Sequence, residues 1–559
     1  MNDFEYQLRF VCDAAWRMVE MQDRDALSPS HGCFHYAYWR DKTSEFPDAR
    51  FQEAGAAVGL LSLSRFDDTR GPNGLPAASE LYRSFSAALR FWEASQYPEG
   101  CWDEWYKGER GFAATEFTMI AYGLASRYLG EQMDSPDRQR LADTMLKAGR
   151  WLAPRHDRVK ANHEAAAAAA LALAWEVTGV TEFRDAAQEK IQDTLARQTD
   201  EGWFPEVGGM DLGYCSVLLD YVMIYVDVTG DHSPVPAMAR LVGFMLPFIH
   251  PDVTVSPEAG LCLNPYVSRL GFCLLAAQGD PTAAAIIATL KTTSPGRGAL
   301  STFLADDLRL LRWSYLPVVT GFVYPADSTK GASSLADFYP AGWTVRNGSA
   351  IAAHHSEGHH VYFSVAGGGA VRVYMKEELI CEDLGVDIVS GDSSWGSAGY
   401  QADRSIVRTD TGVGFESPMS KAAFVYPGFL PRLILRLGSI TPVTSRLLRR
   451  AIDRYRLRNS TAINQSAAPV AGGGSRFLFA REVSVDGAVV EIVDRIVSKQ
   501  GAIGFDELNF KLSFSGERYT PPADTWRESA VRIVKRISVS NRGAEFYVRV
   551  LPGTGDSAE

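Results

Sequence analysis

Two polar segments about fifty residues apart each stand at the head of an apolar helical run. The first is Ala161-Asn162-His163-Glu164-Ala165, followed by Ala166 to Val177. The second runs from Glu201 to Tyr214 (EGWFPEVGGMDLGY), followed by Val217 to Val228. Asn, His and Tyr are the groups needed to neutralise a carboxylate, remove a proton and return one. Polar clusters at the starts of successive helices point to one cleft built from loops on a rigid helical scaffold.

Each cluster also has a structural reading. Asn162 can cap a helix, with Glu164 favouring its dipole, but that leaves His163 without a role. Gly208, Gly209 and Gly213 suggest unusual backbone or close approach of a ligand, whereas Asp211 is a natural helix cap before Tyr214. A third loop holds Trp102, Asp103, Glu104, Trp105, Tyr106 and Arg110. Aromatic faces stack on sugar C–H surfaces while acids and Arg bond hydroxyls or carboxylates; equally, the Trp residues could plug a helical ring. Trp203, Asn264 and Arg269 extend the candidate binding set. Four of the ten histidines fall in His354-His355-Ser356-Glu357-Gly358-His359-His360. Alternation along strands divides such side chains between two faces, so a His leaning over the cleft, His355 or His354, is favoured over a metal site. Lys376 follows in the next hairpin.

Bulk properties narrow the classes. A chain of 559 residues calls for two or more domains. A formal charge of 56 − 67 = −11 argues against a nucleic-acid binder but leaves room for local Arg and Lys to hold an anion. Seven Cys include no C-x-x-C pair, so no zinc ribbon or redox motif is indicated. The N-terminus lacks the basic and apolar regions of a signal peptide, so a cytoplasmic chain is expected. A natural protein with further residues ahead of Met1 would be periplasmic or secreted instead. No membrane span is expected. No G-x-S-x-G, P-loop or H-E-x-x-H occurs in a convincing context.

The elements that must position these groups change style along the chain. Helical periods run over 4–22, 49–64, 77–95, 114–129, 136–153, 162–178, 181–198, 214–229, 235–248, 265–278, 281–292 and 300–313, about six hairpins. Ala165 to Ala170 demands very close packing, which suits an α/α toroid. After a Gly-, Pro- and Ser-rich stretch come alternating runs: 350–353, 360–365, 370–375, 404–407, 433–437, 488–493, 531–539 and 545–551. These predict an antiparallel β-sandwich. The expected division is 1–318 for the toroid and 319–559 for the sandwich, an α+β multidomain chain.

At these residues the chain resembles the heparinase II/III-like polysaccharide lyases, which are related to toroid-fold alginate lyases. The likeness spans essentially the whole chain. The family's Asn-His pair matches Asn162-His163, and its catalytic tyrosine matches Tyr214, 214 − 163 = 51 residues on. GCWDEWYKGERGFAATEFT and EGWFPEVGGMDLGY are similar to members from bacterial surface-polysaccharide genes. The resemblance implies β-elimination on an acidic, uronate-containing polysaccharide, with Asn162, His163, Tyr214 and His355 catalytic. The sequence departs from the family at AAHHSEGHHVYFS, which lacks the Asp of a Gly-His-x-His-x-Asp-like segment. Several members hold a structural metal in the sandwich; no matching ligand set is found here, so no cofactor is expected. Two other classes stand beside this one. A glycoside hydrolase would use two carboxylates drawn from Asp103, Glu104, Glu206 and Asp211. A carbohydrate-binding protein of surface-polysaccharide production would bind without turnover.

Overall fold

The computed structural model describes residues 3–71, 74–206, 209–260, 264–292, 306–323, 335–390, 392–401, 403–421, 428–458, 476–498, 507–518, 530–540 and 543–552. Among the described residues, twelve principal helices occupy the first part: α1 Asp3–Asp13, α2 Glu53–Leu61, α3 Ala78–Ala94, α4 Phe112–Leu129, α5 Ser135–Leu152, α6 Ala161–Thr178, α7 Thr181–Leu195, α8 Leu212–Thr229, α9 Val235–Met245, α10 Leu270–Ala277, α11 Pro281–Thr292 and α12 Tyr315–Val323. The even-numbered helices form the inner wall. Each packs on the next, α2 on α4, α4 on α6, α6 on α8, α8 on α10 and α10 on α12, and α12 closes the ring on α2. The odd-numbered helices form the outer layer, α3, α7, α9 and α11 each against the inner helix before it, α5 against α6 and α1 against α12. This is the expected toroid.

Burial explains the two helix types. In α6 every residue from Ala161 to Ala174 is buried, including all six alanines of Ala165–Ala170. A helix that is apolar on every side belongs inside, and methyl-sized side chains let its neighbours approach closely. The amphipathic α3 and α5 bury one face only. Helix α8 is long and apolar enough to cross a membrane by length and composition, but it lies mostly buried in the inner ring. Asp211 caps its first turn by accepting from the Tyr214 N–H at 3.0 Å, and Gly230 ends it in the left-handed region at φ +71°.

Several boundaries differ from expectation. The segment expected as a helix over 265–278 starts only at Leu270, after Pro265. The helix expected over 300–313 is seen as Asp307–Trp313, its first residues lying outside those described. The inner ring takes one more helix than the periodicity indicated. Tyr315–Val323 runs into the Gly-, Pro- and Ser-rich stretch expected as a linker, and it straddles position 318/319.

Among the described residues, the second part builds two antiparallel sheets. One runs in spatial order Gly342–Arg346, Ile351–His355, His360–Ser364, Ala370–Met375, Glu378–Ser390, Glu507–Phe514 and Glu517–Arg518. Ser393–Gly396 and Ser420–Lys421 attach along its side. The other runs Gly543–Pro552, Ala530–Ser540, Val489–Ser498, Phe477–Asp486, Gly412–Pro418 and Val407–Arg408. Val361, Phe363, Val371 and Val373 of the first sheet join Phe415, Phe479, Ile492 and Ile533 of the second in one sandwich core. On the opposite face Ile351, Ala353, Tyr362 and Tyr374 pack into the toroid core. Period-two alternation therefore serves two apolar surfaces at once.

The run 433–437, read as a strand, is helical: α13 spans Phe429–Gly438 and α14 spans Pro442–Arg458. A short apolar run does not distinguish strand from helix, and Leu430, Ile434 and Leu437 keep the helical period across it. Within the sandwich, Arg481, Lys535, Asp383 and Asp494 form a fully buried charge cluster.

Candidate active site at the helix starts

The starts of the inner helices meet at one end of the ring. The Ala161 N–H donates to the Pro205 carbonyl at 3.2 Å, joining the loops that open α6 and α8. Asn162 follows, fully buried, with its backbone N–H donating to Glu206 Oε1 at 2.7 Å. Asn162 is not the helix cap: that position is Lys160, which makes no side-chain capping bond. The Asn162 amide makes no well-aligned hydrogen bond among the described residues. It nevertheless lies close enough to the Glu206 carboxyl to help hold that pKa down against burial. Burial dominates, and pushes Glu206 up to about 8.

His163 is held between α4 and the residue that caps its own helix. Its Nδ1 lies 2.7 Å from Glu116 Oε1 of α4, a close contact without the alignment of a hydrogen bond. Its Nε2 is 3.4 Å from Lys160 Nζ, and its ring meets Phe117 edge-on at 5.3 Å. An ammonium can only donate, so Lys160 assigns Nε2 as acceptor and the ring proton to Nδ1, facing Glu116. Burial raises the Glu116 pKa well above the carboxylate range, helped by the negative charges of Asp157 and Glu164. Glu164 itself ties the preceding loop to α6: it accepts from the Asp157 N–H at 2.8 Å, meets His156 at 2.7 Å and pairs with buried Lys190 at 3.2 Å.

Tyr214 is half-buried in the first turn of α8. Asp211 links it to this group, because Asp211 caps its helix and its charge acts on Glu206. Glycine is required on both sides. A Cβ on Gly209 would collide with the hydroxyl of Tyr400, which donates to the Met210 carbonyl at 3.1 Å. A Cβ on Gly213 would lie 2.7 Å from the Asn264 carbonyl oxygen. Gly208 lies outside the described residues.

Further round the ring stands a charged layer. Arg50 pairs with Glu53 and places its guanidinium 4.0 Å from the Phe117 ring centre. Arg312 pairs with Asp48 at 2.5 Å and with Glu104 at 3.2 Å. Burial lifts Glu53 to about 7 despite Arg50.

The other sequence candidates scatter. Trp102 is not a sugar platform: it is buried, stacked on Trp92 at 4.6 Å, with its Nε1–H given to the Trp92 carbonyl. Asp103 organises its own loop, accepting from Tyr97 Oη and from the N–H groups of Gly108 and Arg110. Glu104 is committed to Arg312. Trp105 is the exposed aromatic of this loop, at 69% exposure, and Tyr106 is half-buried. Arg110 sits at φ +53°, faces the Tyr97 ring and pairs with Glu99 at 3.5 Å. Trp203 is buried and donates to Glu201 at 3.0 Å. Asn264 accepts from the Tyr266 N–H at 3.0 Å, and Arg269 is buried against the Tyr266 ring.

His355 lies elsewhere. It is buried where the sheet meets the outer layer, 2.9 Å from the Pro247 carbonyl, 3.2 Å from His360 and stacked on Tyr339. Burial depresses its pKa to about 3, so it stays neutral there. His354 pairs edge-on with Trp343 on the other face of the strand. Lys376 lines a separate cavity of about 1710 Å³ between the sheet and residues 250–257. That cavity contains neither Asn162, His163 nor Tyr214. A second cavity of about 660 Å³, lined by Phe112, His156, Asp157 and Val159 and extending to α14, contains none of the three either.

Sequence reasoning missed Glu116, Lys160 and Arg50. Nothing in spacing announces Glu116, which reaches His163 only because α4 and α6 are ring neighbours. Glu206 was read only as one of four hydrolytic carboxylates. All four are buried, and Asp103, Glu104 and Asp211 are committed to the loop, to Arg312 and to the α8 cap. For a metal, His156, Glu164 and Asp193 can bring ligand atoms within 4.8 Å of one another. Lys190 and Arg197 already pair with the two acids.

No protein-family model matches the chain, and no curated protein matches it. Two solved structures are similar in architecture. Chondroitinase AC lyase, seen in complexes with oligosaccharide, shows 9% identity and a TM-score of 0.37, over 99% of this chain and 83% of that one. A GH127 β-L-arabinofuranosidase from Geobacillus stearothermophilus T6 shows 11% identity and a TM-score of 0.34, over 98% of each chain. Both are too distant to carry any residue across.

Proposed function

We propose that this protein is a polysaccharide lyase that cleaves an acidic, uronate-containing bacterial polysaccharide by β-elimination. The helical region 1–318 would carry the catalytic groups and 319–559 would back it as a sandwich domain. The observation that supports this most is the buried pair Asn162 and His163, each braced by a carboxyl group from a neighbouring segment. Such a pair suits a reaction whose charge develops on a substrate carboxylate.

In β-elimination the C5 proton is only weakly acidic, because the adjacent carboxylate is already charged. Hydrogen bonds to that carboxylate stabilise the enolate-like intermediate as its charge grows. Asn162 is the donor in this reading, and the carboxyl of Glu206, held neutral near pH 7 by burial, adds a second proton nearby. Tyr214 removes the C5 proton and protonates the leaving oxygen when both lie on one side of the ring. When they lie on opposite faces, His163 takes the proton at Nε2, the nitrogen that faces Lys160, and Tyr214 supplies the acid. No water is consumed, and the product sugar carries a carbon–carbon double bond conjugated to its carboxylate.

The test is an ultraviolet screen of purified protein against a panel of acidic polysaccharides, with Tyr214→Phe in parallel. An absorbance rise with wild type alone supports the lyase. New reducing ends without absorbance would point to hydrolysis, and binding without turnover to a carbohydrate-binding protein.

A further inference from the structure

We propose that the hairpin α13–α14 is a docking element for the surface of an anionic phospholipid bilayer. The chain as a whole carries −11, yet residues 429–458 hold eight arginines, one aspartate, and no lysine or glutamate. That is 8 − 1 = +7 in the hairpin, against −18 for the rest. Seven of the fifteen exposed large apolar side chains among the described residues also fall here, between Phe429 and Leu447. Positive charge and apolar exposure thus coincide in one short segment of an acidic protein.

Their placement is ordered. No side chain of α13 is buried. Leu430, Ile434 and Leu437 recur at i, i+4 and i+7, so they share one face, with Arg432 and Arg436 on the other. Phe429 is 79% exposed at its start and Ile440 is 69% exposed in the connection. On α14, Val443 and Leu447 lie beside Arg446, Arg450 and Arg454, which repeat every four residues along one stripe. These three arginines line the 660 Å³ cavity together with Arg155 and Arg158 of the toroid. None of the five pairs with a carboxylate among the described residues. Burial, and after it the charge of Arg446, lower the Arg155 pKa, although Glu99 acts the other way.

The hairpin is nonetheless fixed to the body. Ser445 Oγ donates to the Gly108 carbonyl at 2.9 Å, and Arg436 reaches Glu45 at 2.7 Å across an exposed surface. The apolar row is therefore held outward on a seated element. A hydrated polyanion would satisfy the arginines but not Phe429, Leu430, Ile434 and Leu437. A second copy would cover the apolar row but bring +7 against +7. An anionic bilayer takes both: apolar side chains enter the boundary between headgroups and acyl chains, and guanidinium groups meet lipid phosphates.

The test is co-sedimentation of the full chain with vesicles of phosphatidylcholine alone and of an equal mixture of phosphatidylcholine and phosphatidylglycerol. Binding to the mixed vesicles only, weakened by salt, is expected. Leu430→Ser/Ile434→Ser/Leu437→Ser should lower partitioning at least tenfold. Arg446→Gln/Arg450→Gln/Arg454→Gln should lower it about a hundredfold, from three juxtamembrane cations. Phe429→Ser, a single exposed change, serves if a triple variant does not fold. Equal binding to both vesicles, no binding to either, or binding unaffected by the variants overturns the proposal. So does a wild-type dimer that ignores vesicles and that only the apolar variant dissolves, or a chain that ignores vesicles yet loses affinity for dextran sulfate when the arginines are changed.

Discussion

Glu116 of α4 stands 2.7 Å from the Nδ1 atom of His163 on α6. The two are 47 positions apart in sequence, and only the closing of the ring makes them a pair. Because Lys160 faces the opposite nitrogen, the imidazole is held from both ends. Glu116→Ala should therefore lower kcat by about 10²-fold through loss of orientation. Glu116→Gln, still a neutral hydrogen-bonding group, should retain most activity. Equal loss in both variants would show that the carboxyl's ionised form is the one that matters.

Tyr214→Phe should abolish turnover while substrate binding changes little, since the ring's packing survives and only the hydroxyl is lost. Proton-transfer groups typically contribute about 10²–10⁴-fold in rate. Asn162→Ala should instead raise KM and lower kcat together, because its donor acts on both ground and developing charge. Measured kcat and KM for each variant check the split. Full activity in Tyr214→Phe removes the lyase reading.

Glu206 ties stability to pH. Its carboxyl ionises near 8 when folded and near 4.5 in its ordinary range. The folded state therefore keeps its proton where the unfolded state has lost it, and stability falls as pH rises from about 4.5 to 8. The loss is on the order of a few kcal/mol. Glu206→Gln should remove that slope, so its Tm should exceed the wild type's increasingly above pH 6. Parallel Tm-against-pH curves for the two proteins would contradict this.

The loop tryptophans should separate cleanly. Trp102→Ala empties a stacked core position and should cost about 3–5 kcal/mol of stability. Trp105→Ala, on an exposed ring, should leave stability almost unchanged and act, if at all, on KM. Denaturant unfolding of both variants makes the comparison.

In the sandwich, Arg481→Met leaves Asp383 and Asp494 facing Lys535 alone in a fully buried site. Breaking one partner out of a buried ion cluster costs about 3–5 kcal/mol. Chemical denaturation should show that loss, and a variant as stable as wild type would mean the cluster relaxes to reach solvent.

The sequence by itself determined the two styles of structure. Ala165–Ala170 called for a helix packed very closely against its neighbours, and alternation in 350–353 and 360–365 called for strands. It also placed Asn162, His163 and Tyr214 at the starts of helices, because local periodicity fixes where a helix begins. Local pattern could not say which helix starts become neighbours. That followed from ring closure, which brought Glu116 to His163 and Glu206 to Asn162, and sent His355 to the seam against Pro247. The same limit hid Trp102, whose exposure depended on Trp92 from another segment, and the hairpin at 429–458, whose Leu-Ile-Leu run fits either period. Spacing along one chain encodes the face a residue occupies; what that face meets is decided by long-range packing, which no short window contains.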